Sequence, residues 1–290
     1  MAVAVAVVST KGGVTKTTTT ANLGGILADL GASVLFVDLD PQSTLSSYYN
    51  VTKRADLGVL SVVQTGVIDG AISSVDLTEG LTADLIVSDD VDNKLHDWIR
   101  DTPDGRTRLK RAVEKAPYDV VLIDTPGLSG PLQDTGVLAA DFMISPIVPD
   151  ILSAREFGRG TIQMLERLQP MASLGCPPGQ LYGLIARKDQ TKNARIIAES
   201  LSTASFAGSK GKIRILETTI PSKVCYNEAA TLQIPVHLHD AKSQTSTPSA
   251  RETMLELVKE LFPNYARGSL QTDEGRANGQ GASNVVKVRG

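Results

Sequence analysis

The sequence predicts an α/β protein: a doubly wound, mostly parallel sheet with helices on both faces. Apolar strand-like runs alternate with helical patterns along the chain, and several runs are continuously apolar, as in parallel strands covered on both faces. The 290 residues are enough for one large domain. Because Gly, Asn, Gln and Ser dominate from about residue 268, we expect a single domain over residues 1–267 and a flexible tail over residues 268–290.

The elements follow from these runs in order. The predicted strands are residues 2–8, 34–38, 81–87, 120–124, 142–148, 181–186 and 213–216. The predicted helices are residues 17–30, 106–115, 155–168, 193–202 and 251–261. In a doubly wound sheet the ligand site lies at the carboxyl ends of the strands. The segments that directly follow strands are therefore the candidate site.

A glycine-containing loop joins the first predicted strand to the first predicted helix. It consists of Lys11, Gly12, Gly13, Val14, Thr15, Lys16, Thr17 and Thr18. Loop amides and a helix N-terminus bind phosphate, a lysine completes the cradle, and a threonine after that lysine can bind Mg²⁺. The standard Walker A pattern has glycine just before this lysine and another five residues earlier, where this chain has Thr15 and Thr10. The alternative is a glycine turn without a ligand, which the two later motifs disfavour.

This loop resembles the deviant Walker A motif of the ParA/MinD family of dimerising P-loop ATPases. That motif reads Lys-Gly-Gly-x-x-Lys-Thr and has an extra lysine at its start. The resemblance implies that Lys16 binds phosphate within its own subunit. It also implies that Lys11 reaches across an ATP-dependent homodimer to the partner's nucleotide, and that the cofactors are ATP and Mg²⁺. About the first 150 residues carry the resemblance strongly, and the remainder carries it weakly.

Two acids end the second predicted strand, in the run Asp38-Leu39-Asp40-Pro41-Gln42. A carboxylate there can order the water shell of Mg²⁺ or position the attacking water in phosphoryl transfer. The run is similar to the family's Asp-x-Asp-Pro-Gln element, which implies that Asp40 serves hydrolysis and that Asp38 supports the metal shell. Taken alone, the run also fits a strand-end turn, since Asp-Pro is common in turns.

A third motif ends the strand predicted at residues 120–124. An apolar strand that ends in Asp124 follows the Walker B pattern, in which the carboxylate lies near Mg²⁺. The next residues, Thr125, Pro126 and Gly127, resemble the family's switch II segment. This implies that the amide near Gly127 senses the γ-phosphate and that the loop becomes ordered in the ATP state.

Thr15 departs from the family pattern, in which a small residue, usually glycine, stands at this position. Phosphate-binding loops often need a backbone conformation there that a β-branched residue resists, at a cost on the order of 1–3 kcal/mol. We expect nucleotide binding to survive and turnover to be slow, with the Thr15 hydroxyl available to phosphates or to the dimer contact.

A basic segment in the C-terminal third is the candidate for DNA binding. Eight basic and three acidic residues lie between positions 187 and 223, an excess of five positive charges in a chain of net charge −3. The basic residues are Arg187, Lys188, Lys192, Arg195, Lys210, Lys212, Arg214 and Lys223. Binding to the phosphate backbone needs such a patch and no base-reading element. The alternative is a set of solvated helix faces with scattered lysines.

Composition excludes several classes of protein. The N-terminal apolar run is too short for a signal peptide or membrane span, and we expect a cytoplasmic protein without a membrane partner. The resemblance implies that it is associated with the nucleoid. Cys176 and Cys225 lack the spacing of a metal site or iron–sulfur cluster. The tail has neither the basic amphipathic helix of MinD-type proteins nor the tyrosine cluster of the related kinases.

The resemblance therefore favours a small ParA-type partition ATPase without an N-terminal DNA-reading domain. It implies non-specific binding of double-stranded DNA by the ATP dimer and hydrolysis stimulated by a ParB-like centromere-binding partner. Loosely, Pro221 and the following helix resemble the family segment that holds the adenine. A nucleotide-gated scaffold that positions another complex stays open as an alternative, and a metabolic ligase on the same fold would give Lys11 no purpose.

Overall fold

The computed structural model describes residues 2–189, 191, 194, 196–197, 201, 213–243 and 246–265. Its strands are β1 (Val3–Val7), β2 (Val34–Asp38), β3 (Asn50–Lys53), β4 (Ser73–Thr78), β5 (Leu81–Ile86), β6 (Val120–Asp124), β7 (Phe142–Ile147), β8 (Gln180–Lys188) and β9 (Ile213–Pro221). They form one sheet in the order β3-β4-β5-β2-β6-β1-β7-β8-β9, in which only β4 runs antiparallel to its neighbours. The predicted fold class is confirmed.

Three central strands determine where the site lies. β6 pairs in parallel with both β1 and β2, and Asp124 lies in register with Val7 on one side and Asp38 on the other. The glycine loop, the Asp38–Asp40 turn and the segment after Asp124 therefore leave the sheet side by side. This is the switch-point geometry at which doubly wound sheets bind ligands.

Helices cover both faces of the sheet. They are α1 (Lys16–Asp29), α2 (Val59–Thr65), α3 (Lys94–Asp101), α4 (Arg108–Glu114), α5 (Pro131–Ala139), α6 (Ile151–Glu156), α7 (Ile162–Leu168), α8 (Cys225–Thr231), α9 (Val236–His239) and α10 (Ala250–Leu261). One apolar core packs α2, α4, α5 and α7 against the sheet, and a second packs α1, α8, α9 and α10 against the opposite face. Central strands buried on both faces explain their continuously apolar sequences.

Local sequence accounts for two helix boundaries that bear on the site. α5 begins with Pro131 at its first position, where the missing N–H costs nothing. α10 begins with a capping box, in which the Ser249 hydroxyl and the Glu252 carboxylate each accept the other's backbone N–H.

α1 lies close to β2 because Gly24 has no side chain: a Cβ there would lie 2.2 Å from the Phe36 ring.

Several elements differ from the sequence prediction. The short strands β3 and β4 were not predicted, because their polar, alternating residues lack the apolar runs of the central strands. The helix predicted at residues 155–168 begins earlier and contains a π-helical turn at Phe157–Thr161 between α6 and α7. β9 extends five residues beyond its predicted end. The helix predicted at residues 193–202 lies largely outside the described residues, as does the predicted tail, so both stay predictions.

Candidate nucleotide-binding site

A cleft of about 1230 Å³ lies at the carboxyl ends of the central strands. Its walls include the glycine loop from Gly12 onward, the turn after β2, the segment after β6 and the end of β9. Ligand pockets in proteins commonly have volumes of about 300–1000 Å³, so this cleft has room for a nucleoside triphosphate. The walls combine backbone amides, hydroxyls and one buried lysine, which is the chemistry that phosphate requires.

The glycine loop enters α1 through a left-handed residue. Thr15 has φ 69° and ψ 22°, and its side chain makes no hydrogen bond to the first turn of the helix. Left-handed backbone is costly for a β-branched residue, as the sequence argument anticipates. The Thr15 and Thr19 hydroxyls are buried without a partner in the described part of the chain, and both residues line the cleft. Oxygens of a phosphate would satisfy these groups and the free N–H groups of α1.

The two lysines of the loop occupy different environments. Lys16 is 8% exposed and lines the cleft, which suits a phosphate ligand within the subunit. Lys11 is absent from the cleft wall; its Nζ donates to Ser153 Oγ at 2.9 Å and lies 3.9 Å from Asp150 Oδ2. Asp150 caps α6 by accepting from the backbone N–H groups of Leu152 and Ser153. The chain therefore directs Lys11 away from its own nucleotide site.

Thr17 and Asp124 lie in direct contact at the base of the cleft. The Thr17 hydroxyl donates to Asp124 Oδ2 at 2.5 Å, and the Thr20 hydroxyl is 3.3 Å from Oδ1. Burial raises the pKa of Asp124 to about 7, against the hydrogen bond from Thr17. A hydroxyl beside one carboxylate is an oxygen donor set that fits Mg²⁺, which keeps most of its waters. The described residues hold no cluster of three or more His, Cys, Asp or Glu side chains that would bind a metal by themselves.

Asp38 is hydrogen-bonded to the turn that follows β2. Its Oδ2 accepts from both the backbone N–H and the hydroxyl of Ser46, at 2.8 and 2.7 Å, and its Oδ1 accepts from the Asp40 N–H. The side chain is fully buried, and burial raises its pKa to about 6. These bonds organise the turn that carries Asp40. The role of Asp38 in the metal shell stays a prediction.

Asp40 lies on the cleft wall, together with Pro41 and Gln42. Its Oδ1 accepts from the Gln42 N–H at 3.0 Å, so the turn fixes the direction of the carboxylate. A carboxylate held in this way at the open side of the cleft can accept a hydrogen bond from a water molecule.

The segment after β6, residues 125–130, is termed the switch segment below. The Thr125 hydroxyl donates to the Val7 carbonyl at 2.8 Å and fixes the start of the segment to β1. Gly127 lies against the glycine loop: a Cβ at this position would be 3.3 Å from Lys16 Nζ and 3.4 Å from Gly12 Cα. Pro126 and Gly127 both line the cleft. The switch segment is thus placed where a terminal phosphate would meet its backbone.

The opposite end of the cleft is built from the ends of β8 and β9 and from α8. Pro221, Tyr226, Asn227 and Met254 line it, and the Tyr226 hydroxyl is buried without a partner among the described residues. This mixed apolar and polar wall suits a nucleotide base. Sequence reasoning found Pro221 but missed Tyr226, whose contribution depends on how α8 folds back over the cleft.

Of the candidate DNA contacts that the structure describes, Arg187, Lys188 and Lys223 lie near the carboxyl ends of β8 and β9, whereas Arg214 lies farther back on β9. Lys223 pairs with Asp240 and lines the nucleotide cleft, and Arg187 lines the same cleft. Arg214 lies seven residues before Pro221 on β9, so roughly 23 Å of strand separates it from that end of the sheet. Four further candidates lie outside the described residues: Lys192, Arg195, Lys210 and Lys212.

Besides Tyr226, sequence reasoning missed three residues in or beside the site. Ser153 and Asp150 hold Lys11, and Gln133 lies on α5 and lines the cleft. The residues that follow Asp150 give no phosphate motif, and only the fold brings them to Lys11. Gln133 belongs to α5, a helix whose one sequence signal is the proline at its start.

The part of the chain that the structure describes contains no helix long and apolar enough to cross a membrane.

Comparison with known proteins agrees with this geometry. The family profile AAA_31, described as an AAA domain, matches residues 2–172. The sporulation initiation inhibitor protein Soj of Bacillus subtilis is 28% identical over 269 residues, covering 90% of this chain and 98% of Soj. The maintenance of carboxysome distribution protein A of Synechococcus elongatus is 29% identical over 184 residues, covering 63% of this chain and 71% of that protein.

One solved structure extends the comparison to bound nucleotide. The cobyrinic acid a,c-diamide synthase of Mycobacterium smegmatis with bound ADP and magnesium is 27% identical, with a TM-score of 0.64, and the match covers 86% of this chain and 99% of that one. A protein similar to this chain in sequence and fold therefore holds nucleotide and magnesium. On its motifs, its fold and these relatives, the chain belongs to the AAA_31 family and is a P-loop ATPase of the ParA/MinD type.

Proposed function

We propose that the chain is a partition ATPase whose Mg²⁺–ATP form is a sandwich dimer that binds DNA without sequence preference. The observation that carries the proposal is that two lysines of one loop lie in different places. Lys16 is buried in the cleft, whereas Lys11 is held outside it by Ser153 and Asp150. A second copy of the chain, bringing its own Lys11 to this cleft, would complete the positive charge around the phosphates.

Each residue then has a distinct task. Lys16 and the partner's equivalent of Lys11 neutralise charge that develops on the phosphate oxygens, and the Asp40 carboxylate orients the attacking water. Thr17 and Asp124 hold Mg²⁺, which when bound stabilises the phosphate charge. Gly127 reports the terminal phosphate through its backbone N–H. A ParB-like partner would accelerate hydrolysis and so release the dimer from DNA.

The positions of the described basic residues suggest which of them contact DNA. Arg187 and Lys223 line the nucleotide cleft, so we assign them to the nucleotide side of the site. Lys188 ends β8 beside that cleft, close in sequence to the basic positions 192 and 195. We therefore assign DNA contact to Lys188 and the segment after it, and none to Arg214, which lies toward the other end of the strands.

DNA binding by the purified protein tests this function. It is measured with ATP, with ADP and without nucleotide, each at two salt concentrations. ATP-dependent, sequence-independent binding that weakens steeply with salt supports the proposal. Lys188→Glu should weaken this binding by about tenfold or more, whereas Arg214→Glu, the matched control, should leave it within about twofold.

A second candidate function is the positioning of another protein complex with little DNA role. It is favoured by the similarity to the Synechococcus protein, which is named for carboxysome distribution. ATP-induced dimers that bind no DNA in any nucleotide state would support this candidate. A protein that stays monomeric with ATP would contradict both.

A further inference from the structure

We propose that Gln133 is a positioning residue that couples the switch segment to the loop carrying Lys11. The inference rests on the proposed function, because it concerns how the same nucleotide site distinguishes ATP from ADP. Gln133 is fully buried on the first half of α5 and lines the cleft. None of the nucleotide motifs in the sequence includes it.

One side-chain amide connects the two segments. Gln133 Nε2 donates to the Ser9 carbonyl at 2.9 Å and to the Pro126 carbonyl at 3.4 Å. Ser9 follows β1 at the entrance to the glycine loop, and Pro126 belongs to the switch segment. Because an amide NH₂ has two N–H groups, both bonds form at once and the side chain bridges the two backbones.

The bond to Pro126 orients the group expected to sense phosphate. The Pro126 carbonyl and the Gly127 N–H belong to the same planar peptide unit, in which they point in opposite directions. Any rotation that turns the Gly127 N–H toward a γ-phosphate also moves the Pro126 carbonyl. Gln133 holds this peptide unit by its carbonyl and so restrains the Gly127 N–H as well.

The bond to Ser9 extends the connection to Lys11. The Ser9 hydroxyl accepts from the Lys11 backbone N–H at 3.1 Å, and Lys11 Nζ donates in turn to Ser153. A continuous hydrogen-bonded path thus runs from Pro126 through Gln133 and Ser9 to Lys11. A change in the switch segment reaches the residue that a dimer would need.

An unpartnered oxygen on the same side chain supports a role beyond packing. Gln133 Oε1 is buried without a hydrogen-bond partner in the described part of the chain. Leaving a buried acceptor unpaired costs about 1–3 kcal/mol, a cost that an apolar side chain of similar size would avoid. The free oxygen gives the amide an acceptor for a backbone N–H when the switch segment rearranges.

The next residue, Asp134, fixes the helix that carries this amide. Asp134 is 1% exposed and pairs with both guanidinium nitrogens of Arg167 on α7, at 2.6 and 2.7 Å. Bidentate pairs of this kind fix geometry as well as add free energy. Since Asp134 fixes α5, a displacement of the switch segment has to be taken up at the Gln133 side chain.

The test compares Gln133→Leu and Gln133→Glu with the wild type, and Gln163→Leu on the exposed face of α7 is the matched control. Dissociation constants for ADP and for a slowly hydrolysed ATP analogue are measured, together with kcat and KM. Loss of the bridge should leave the ADP constant within about twofold. It should lower the preference for the ATP analogue, and kcat, by about tenfold.

A second measurement uses the unaltered protein, so the test does not depend on the folding of a variant. The side-chain amide resonances of Gln133 should shift with the ATP analogue and stay in place with ADP. Unchanged resonances, or a Gln133→Leu protein with the wild-type nucleotide preference and kcat, would overturn the inference alone. A wild-type protein that binds neither nucleotide would overturn the proposed function and this inference together.

Discussion

The ammonium group of Lys11 lies 2.9 Å from the hydroxyl of Ser153, a residue on the first turn of α6. Lys11 is not on the wall of the cleft that Lys16 lines. Its ion pair with Asp150, at 3.9 Å, joins side chains that are 39% and 45% exposed. Exposed pairs of this kind contribute at most about 1 kcal/mol. The contact therefore gives Lys11 a defined position in one subunit that a stronger phosphate contact in a dimer can replace.

We expect the two lysines to separate nucleotide binding from dimer formation. Lys11→Ala should bind nucleotide with an affinity within about threefold of the wild type, because its ammonium is outside the cleft, but should stay monomeric with ATP. Lys16→Ala should lose nucleotide binding by about a hundredfold or more, since it removes the buried phosphate charge. Titration with a fluorescent nucleotide and light scattering with an ATP analogue measure the two properties. An ATP-dependent dimer of Lys11→Ala would refute this division.

Asp40→Ala should separate ATP binding from hydrolysis. The carboxylate is held by its turn at the cleft wall and makes no bond in the contact between Thr17 and Asp124. We expect the variant to bind Mg²⁺–ATP and dimerise but to hydrolyse ATP at least about tenfold more slowly, leaving the dimer on DNA. Phosphate release and DNA retention are measured together, with Asp40→Asn as the closest variant in shape. Wild-type turnover in Asp40→Ala would remove this role.

The sequence predicted the parts of the site that lie within single motifs. Asp124 ends an apolar strand, and Lys16 and Thr17 begin the helix after the first one. Their positions therefore follow from strand order and from the carboxyl ends of parallel strands. Asp38 shows the limit of that reasoning. Its side chain faces Ser46, a partner eight residues away whose position depends on a short 3₁₀ turn.

The contacts between distant segments could not be predicted in the same way. Gln133 and Ser9 are 124 residues apart, and Lys11 and Ser153 are 142 apart. Neither pair has a local periodicity or spacing that marks it, and packing of α5 and α6 against the sheet creates both. For the same reason the sequence did not show that β8 and β9 carry Lys188 and Arg214 toward opposite ends of the sheet.

Thr15→Gly should relieve strain in the glycine loop. Thr15 has φ 69°, a conformation that costs a non-glycine residue about 1–2 kcal/mol and that glycine adopts freely. Glycine also makes the unfolded chain more flexible, which lowers the free energy of unfolding by about 0.4–1 kcal/mol. The expected net gain in unfolding free energy is therefore about 0.5–1 kcal/mol. Chemical denaturation measures it, and Thr15→Ala, which loses the hydroxyl but keeps the strain, is the control.

The same substitution tests whether Thr15 slows turnover. The Thr15 hydroxyl is buried without a partner among the described residues and lines the cleft. If the left-handed threonine holds the loop in a shape poorly suited to hydrolysis, Thr15→Gly should raise kcat by a few-fold while affinity changes little. Unchanged affinity together with unchanged turnover would show that Thr15 does not tune the site.

The stability of the nucleotide-free protein should depend on pH through Asp124. Burial raises its pKa to about 7, so the folded protein keeps a proton that the unfolded chain, with a value near 3.8, releases. The free energy of unfolding should therefore fall as pH rises from about 4 to about 7 and level off above that. Asp38, with a pKa of about 6, acts in the same direction. Bound Mg²⁺ favours the ionised carboxylate and should flatten the profile.

Asp124→Asn provides the decisive comparison for this pH dependence. The amide carries no charge to desolvate, so the variant should be more stable than the wild type at pH 8 by about 1–4 kcal/mol and should lose much of the slope. Asp92→Asn is the control, because Asp92 is exposed and its pKa is lowered by Lys94, so it is already ionised across this range. Urea denaturation between pH 5 and pH 8 measures all three proteins. If Asp124→Asn keeps the wild-type dependence of unfolding free energy on pH, another group titrates. If the variant loses both this dependence and Mg²⁺-dependent hydrolysis, the carboxylate destabilises the empty site and is needed in the filled one.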